Sequence, residues 1–344
     1  MLAQSCPVFA LSGNEIVTYR GADREQRLIE GARREGQVVL YSAMIVNQAL
    51  RPLAAAFARK YPFVKLAYWR ADSEELLPRL SAEARGRKPV ADLFEGSGGG
   101  EVAVEAGLTQ PFYSPLVAEY PESYRDPNGE LAPTRLSYFG TAYNTKQVGA
   151  DKVPKSYLDL LDPQWRGRMA WPYATTGRYL FLINLRLAWG EERAMDYFKK
   201  LARQKIVNFA SGSARTLVDR VIAGEYPLAL NIYAHHPLIS AAKGAPVNTQ
   251  LMDPVASAAG TISVVKGAPH PYAAMLLLDF ILSREAQRIL AEAEYFPAHP
   301  DVAPLPQLSG IVPKKAGLTE NYVPPEKLKA YIDSTEQILQ DLFR

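Results

Sequence analysis

Between Gln37 and Ala106 short apolar runs take turns with amphipathic helical segments. "QVVLYSA" sets Val38, Val39, Leu40 and Tyr41 in one apolar run, the pattern of a buried parallel strand. From Asn47 to Arg59 the apolar residues Leu50, Leu53, Ala54 and Phe57 fall on one helix face, with Asn47 as N-cap. "VKLAYWR" reads as a second strand, "DSEELLPRLSAEA" as a helix capped by Asp72 or Ser73, and "VADLFEG" as a third strand. The glycine-rich "GSGGGE" then leads into a helix from Glu101 to Ala106, while a helix from Arg24 to Glu35, stopped by Gly36, precedes the first strand. This order predicts an α/β protein with a parallel sheet and crossover helices.

The pattern breaks and then resumes. Residues 111–133 are rich in Pro, Tyr and Ser, as surface connections are, and "LSYFGTAYNT" (136–145) returns to extended, apolar and aromatic character. Next come "RMAWPY" as strand, "TTGRYLFLINLRLAWG" and "ERAMDYFKKLAR" as helices, "IVNFAS" as strand, "ARTLVDRVIAG" as helix, and "YPLALNIY" and "GTISVVKG" as strands. Helices at 271–282 and 284–294, a Pro-rich stretch and a last helix at 325–343 complete the chain. No internal repeat has a fixed period. At 344 residues the chain exceeds the comfortable size of one core, so two lobes are expected.

Composition removes several function classes. With 48% hydrophobic residues, 22% charged and a net charge of +3, the chain is an ordinary globular protein. Its basic residues are scattered; Arg33-Arg34 and Lys199-Lys200 read as solvated helix faces, so no nucleic-acid partner is expected. Cys6 is the only cysteine, which excludes an intramolecular disulfide and a multi-thiolate metal site. No apolar run reaches the roughly 18 to 20 residues of a membrane span, and Asp279 interrupts the nearest one, "MLLLDFIL". The start, "MLAQSCPVFALSGNE", has signal-peptidase-like small-residue spacing at Val8 and Ala10 without a basic n-region or full h-region. A clipped export signal and a plain start both fit it.

In open parallel sheets the ligand lies at the carboxyl ends of the strands. There the chain places Ser42 and Ala43; Ser97, Gly98 and Gly99; Thr175, Thr176 and Gly177; and Ser211, Gly212 and Ser213. Such residues at helix entries present backbone N–H groups and a positive dipole end to an anion. Each alone reads more readily as an ordinary N-cap, and only the fourfold recurrence favours an anion site. Arg178 either adds charge to its turn or faces solvent. In "LNIYAHH", strand alternation would put Asn231, Tyr233 and His235 on one face and turn His236 opposite to His235 unless the chain bends before Pro237. A metal site, a polar pocket wall and a buried strand followed by surface histidines are the three readings. No Asp or Glu is close in sequence and there is no HExxH spacing, so the pocket wall is preferred to a metal site, and the buried strand with surface histidines stands level with it. GxGxxG, Walker A and GxSxG motifs are absent, and nothing positive supports an enzyme.

"EGQVVLYSA", "FARKYPFVKL", "VADLFEGS", "FGTAYNTKQV", "PKSYLDLLDPQWRGRMAWPYATTG", "GEYPLALNIY" and "KGAPHPYAAMLLLDFILSREAQRIL" together resemble the bacterial extracellular solute-binding proteins of ABC importers, in the ferric-iron-binding-like and small-anion subgroup. The resemblance spans about Glu35 to Pro300. It implies a two-lobed type II periplasmic-binding-protein fold, mixed sheets flanked by helices with a hinge between lobes. The expected division is 1–36 as an N-terminal extension and helix, 37–135 plus 262–296 as lobe 1, and 143–259 plus 297–344 as lobe 2. Crossings would lie near 136–143, 259–262 and 296. It also implies a periplasmic monomer that delivers a small anionic ligand from an inter-lobe cleft to membrane permease subunits, with no cofactor and no catalytic residues. Iron-binding members carry a tyrosine pair on the strand matching "LNIYA"; here the pair falls on Tyr233 and Ala234, and their usual Glu position falls on Ser97. The expected ligand set is therefore Ser42, Ala43, Trp69, Ser97, Gly98, Thr175, Thr176, Gly177, Arg178, Ser211, Ser213, Asn231, Tyr233 and His235. The alternatives are a ferric receptor using Tyr233 and His235, with iron as transported ligand, and an enzyme on a similar two-lobed fold. A regulator's sensing module is disfavoured because no DNA-reading segment precedes Glu35.

Overall fold

The structure is a computed structural model and describes residues 13–173, 176–210 and 213–344. The chain forms two compact units: Met1–Leu136 with Ala259–Ala303, and Ser137–Ala258 with Pro304–Arg344.

The first unit opens with α1 (Gly13–Thr18) and α2 (Arg24–Glu35), followed by β1 (Gln37–Ser42). Gly36 stops α2 in left-handed backbone, φ +69°, and returns its N–H to the Ala32 carbonyl. A π turn at Val46–Leu50 runs into α3 (Arg51–Lys60); then come β2 (Lys65–Arg70), α4 (Ser73–Arg85), β3 (Leu93–Ser97), α5 (Gly100–Glu105), β4 (Thr109–Gln110) and the long β5 (Ala132–Asn144). The helix expected to begin at Asn47 settles into α geometry only at Arg51. Pro52, in its first turn, has no N–H to close a regular bond to the preceding turn. β1 pairs in parallel with β2 and β3.

β5 carries the chain into the second unit, which contains β6 (Met169–Pro172), α6 (Thr176–Trp189), α7 (Glu191–Ala202), β7 (Val207–Phe209), α8 (Ala214–Ile222), β8 (Leu228–Tyr233), α9 (His235–Ala241) and β9 (Val247–Gln250). β6 lies between β7 and β8, parallel to both, and β5 runs antiparallel to β8 and β9. Trp165, Trp171, Phe181, Phe198 and Leu230 build one core of this unit; Ala170, Phe209, Leu217 and Ile232 build another.

β10 (Val255–Val265) returns the chain to the first unit, where its later residues pair antiparallel with β3. α10 (Pro271–Leu282), α11 (Arg284–Glu292) and β11 (Phe296–Pro297) follow; β12 (Glu320–Tyr322) and α12 (Pro325–Leu342) finish the second unit. Every residue of α10 is buried except Asp279, which accepts from Arg24 of α2 at 2.6 Å. That ion pair explains how an aspartate sits in so apolar a helix. Residues 13–36 fall within the first unit, and so do residues 297–303. The latter are tied there by Gln287, whose Oε1 accepts from the N–H groups of Ala298 and His299.

Candidate functional site

In the second unit the site begins with an irregularity in the sheet. Tyr233 stands opposite Phe139 and Ile232 opposite Gly140, yet Ala229 stands opposite Ala142. Leu230 and Asn231 therefore face Thr141 alone, a β-bulge. Asn231 absorbs the extra length in left-handed backbone, φ +50°, a conformation asparagine tolerates better than most residues. Its side-chain amide donates to the Gly177 carbonyl in the first turn of α6, and the residue is 5% exposed. The strand end and the helix start are thus fastened to one another.

The strand stops at Tyr233, so His235 and His236 do not continue its alternation. They open α9, where successive residues stand about 100° apart instead of opposite. Their rings meet with centroids 4.6 Å apart, and the Tyr233 ring lies 5.2 Å from His236, 6.0 Å from His235 and 5.0 Å from Phe139. His235 is buried and His236 half-buried, with the Nδ1 of His236 enclosed and without a hydrogen-bond partner among the described residues. Burial, and then the Arg215 charge, push the His236 imidazole down to about 4. At neutral pH this ring carries no charge.

Of the two outcomes expected of it, Arg178 does not take the solvent-facing one. At 4% exposure it lies over the Tyr173 ring at 4.4 Å, with Nη2 3.7 Å from the Glu336 carboxylate on α12. The Ser213 hydroxyl accepts from the Thr216 N–H and caps α8. Thr175 and Ser211 lie outside the described residues, and Thr176 begins α6.

The first unit brings a different group together. β1 and β3 end side by side, with Ser42 opposite Glu95. The buried Ser42 hydroxyl donates to Glu95 Oε2 at 2.6 Å and accepts from the Met44 N–H, while the Ala43 N–H is bonded to the Glu95 carbonyl. Thr134 donates to Glu95 Oε1, and Arg135 Nη1 donates to the same oxygen. Arg135 Nη2 reaches the half-buried Ser97 hydroxyl at 3.2 Å. The guanidinium lies over the Tyr295 ring at 5.0 Å, and the Tyr295 hydroxyl accepts from the Ile45 N–H. Gly98 turns the chain away from Ser97 at φ +72°. Trp69 is not part of this group. It is 50% exposed on β2, at the edge of the parallel β2-β1-β3 ladder, with the Arg79 guanidinium of α4 stacked 3.8 Å over its ring.

Sequence reasoning missed Glu95, Arg135, Thr134 and Tyr295. The available signal was a carboxylate inside "VADLFEG", read as a strand, and an arginine just before the extended "LSYFGTAYNT", since buried charges need partners. Among the described residues no three His, Cys, Asp or Glu side chains gather as a metal site. What both units offer is hydroxyl, amide and neutral imidazole groups, with the buried carboxylate already neutralised.

Residues 88–311 match the profile of a family described as bacterial extracellular solute-binding protein. Iron uptake protein A1 of Synechocystis sp. is 26% identical over 301 residues, 82% of this chain and 81% of that protein. A periplasmic protein of Salmonella typhi named for 2-aminoethylphosphonate binding is 25% identical over 188 residues, 52% of this chain and 55% of that one. The solved structure of the periplasmic binding protein AfuA from Actinobacillus pleuropneumoniae, with exogenous fructose-6-phosphate bound, aligns at a TM-score of 0.73 and 23% identity, covering 90% of this chain and 99% of its own. The α/β periplasmic-binding-protein fold expected from the sequence is the fold of this chain.

Proposed function

The chain belongs to the bacterial extracellular solute-binding proteins, and from that premise we propose that its solute is a small oxyanion, an organic phosphate, phosphonate or carboxylate. It is a solute-binding receptor of ABC import, in a family of transport receptors. The finer reading is of a periplasmic monomer that releases its solute to permease subunits and performs no turnover.

One observation carries the choice of solute. Glu95, the carboxylate at the end of β3, is fully buried and receives Ser42, Thr134 and Arg135. A hard cation such as ferric iron is best held by carboxylate and phenolate oxygens. Drawing Glu95 into a metal shell would strip a buried guanidinium of its partner, which costs several kcal/mol. In the second unit Tyr233 is followed by Ala234, so the second phenol of an iron pair is missing. Hydroxyls and amides instead suit an oxyanion, and the relatives named for 2-aminoethylphosphonate or solved with fructose-6-phosphate support that class.

The competing reading, a ferric receptor using Tyr233 and His235, draws on the iron uptake relative and on the adjacent Tyr233, His235 and His236 rings. Titration calorimetry of ligand-stripped protein separates the two. We expect 2-aminoethylphosphonate, a sugar phosphate or a small carboxylate to bind, and Tyr233→Phe to weaken that binding about tenfold, the worth of one hydrogen bond to a charged group. One equivalent of iron bound without any anion, with a visible phenolate-to-iron band that Tyr233→Phe abolishes, would establish the ferric reading instead.

A further inference from the structure

Three hydroxyls surround the Glu95–Arg135 pair, and they are not equivalent. Ser42 and Thr134 are fully buried, and their protons have acceptors inside the unit: Glu95 for Ser42, Glu95 or the Gly260 carbonyl for Thr134. Ser97 is half-buried, and its oxygen accepts from Arg135 Nη2. A hydroxyl has one proton, so an oxygen held as acceptor by a guanidinium must point that proton away from it. The same bond polarises the O–H and makes it a stronger donor.

Arg135 is held so that it can do this. Glu95 fixes one end of the fork, the Tyr295 ring lies along it, and a Cβ at Gly260 would come within 2.9 Å of the guanidinium carbon. Tyr295 is itself tied to the end of β1 through the Ile45 N–H. We propose that Ser97 is the donor the first unit presents to the anionic group of the solute, and that Arg135 is a positioning residue that aims and polarises it. The inference rests on the oxyanion reading above and deepens it. The group recognised is a phosphoryl, phosphonyl or carboxylate oxygen bearing formal charge, because a polarised O–H gains most from a charged acceptor.

The test is a double-mutant cycle read by calorimetry, with inorganic phosphate and 2-aminoethylphosphonate as probes, on the full chain. Ser97→Ala should weaken whichever probe binds about tenfold to a hundredfold. Arg135→Lys keeps the charge beside Glu95 but loses the planar fork, and should cost about tenfold. In a Ser97→Ala background the same Arg135→Lys change should cost nothing further, because Arg135 acts through the lost hydroxyl. A merely structural arginine would weaken binding equally in both backgrounds, and that result overturns the relay. Binding that falls with Tyr233→Phe but stays within about twofold with Ser97→Ala overturns the inference and leaves the oxyanion reading standing. If neither these probes nor sugar phosphates and small carboxylates bind the wild-type protein, both fall.

Discussion

Asn231 shows how much one residue can settle in this chain. It holds a left-handed position in β8 and bonds the first turn of α6, so substitution removes both a tolerated conformation and a buried hydrogen bond. Asn231→Ala should destabilise the protein by about 2 to 3 kcal/mol, and Asn231→Gly by less, since glycine recovers the backbone term alone. Urea denaturation of the two variants measures the difference. His236 makes a second prediction, on pH. Its folded value is pushed from 6.5 down to about 4, so between those limits the unfolded chain holds the proton more tightly. The contribution is fully present above pH 6.5 and is lost as pH falls towards 4. The melting midpoint of the wild type should therefore drop more steeply over that window than that of His236→Asn; parallel curves would show that the ring is not held neutral. The sequence marked Asn231 and Tyr233 as pocket residues, but the bulge between them and the neighbouring strand was hidden. A bulge is set by register against the partner strand, and nothing local encodes it. Glu95 and Arg135 were missed for a related reason, being paired across 40 residues of chain.

At the scale of elements, periodicity placed most strands and helices close to where they stand, because apolar runs and 3.6-residue stripes report burial directly. α9 escaped it. Seven residues beginning with two histidines and a proline carry too little pattern to separate a short helix from a strand's end. The start of α3 was shifted by Pro52, a backbone effect that a side-chain stripe does not register. Helix packing yields its own prediction. α2 and α10 approach closely at Gly31, where a Cβ would lie 2.1 Å from the Tyr272 ring. Gly31→Ala should cost about 1 to 3 kcal/mol through overpacking, despite alanine's better helix propensity. Chemical denaturation decides it: a stabilised variant would mean the two helices can move apart at little cost.

For the whole molecule, length and the resemblance raised the expectation of two lobes, and the chain forms two compact units with three passages between them. The passages fall after Leu136, after Ala258 and after Ala303. The last lies beyond the expected position near 296, because contacts such as those of Gln287 with Ala298 and His299, which no linear pattern reveals, keep that segment in the first unit. No helix of the described residues is long and apolar enough to cross a membrane. A receptor of this kind must be stabilised by what it carries, and the central claim is that its cargo is an oxyanion. Its most direct test is the melting midpoint of stripped protein with 2-aminoethylphosphonate, a sugar phosphate, citrate and a ferric salt supplied separately. An oxyanion at about a thousand times its dissociation constant adds roughly 4 kcal/mol, enough to raise the midpoint by several degrees. The account predicts that rise with at least one oxyanion and none with ferric ion alone. A rise with ferric ion alone, and with none of the anions, would contradict it.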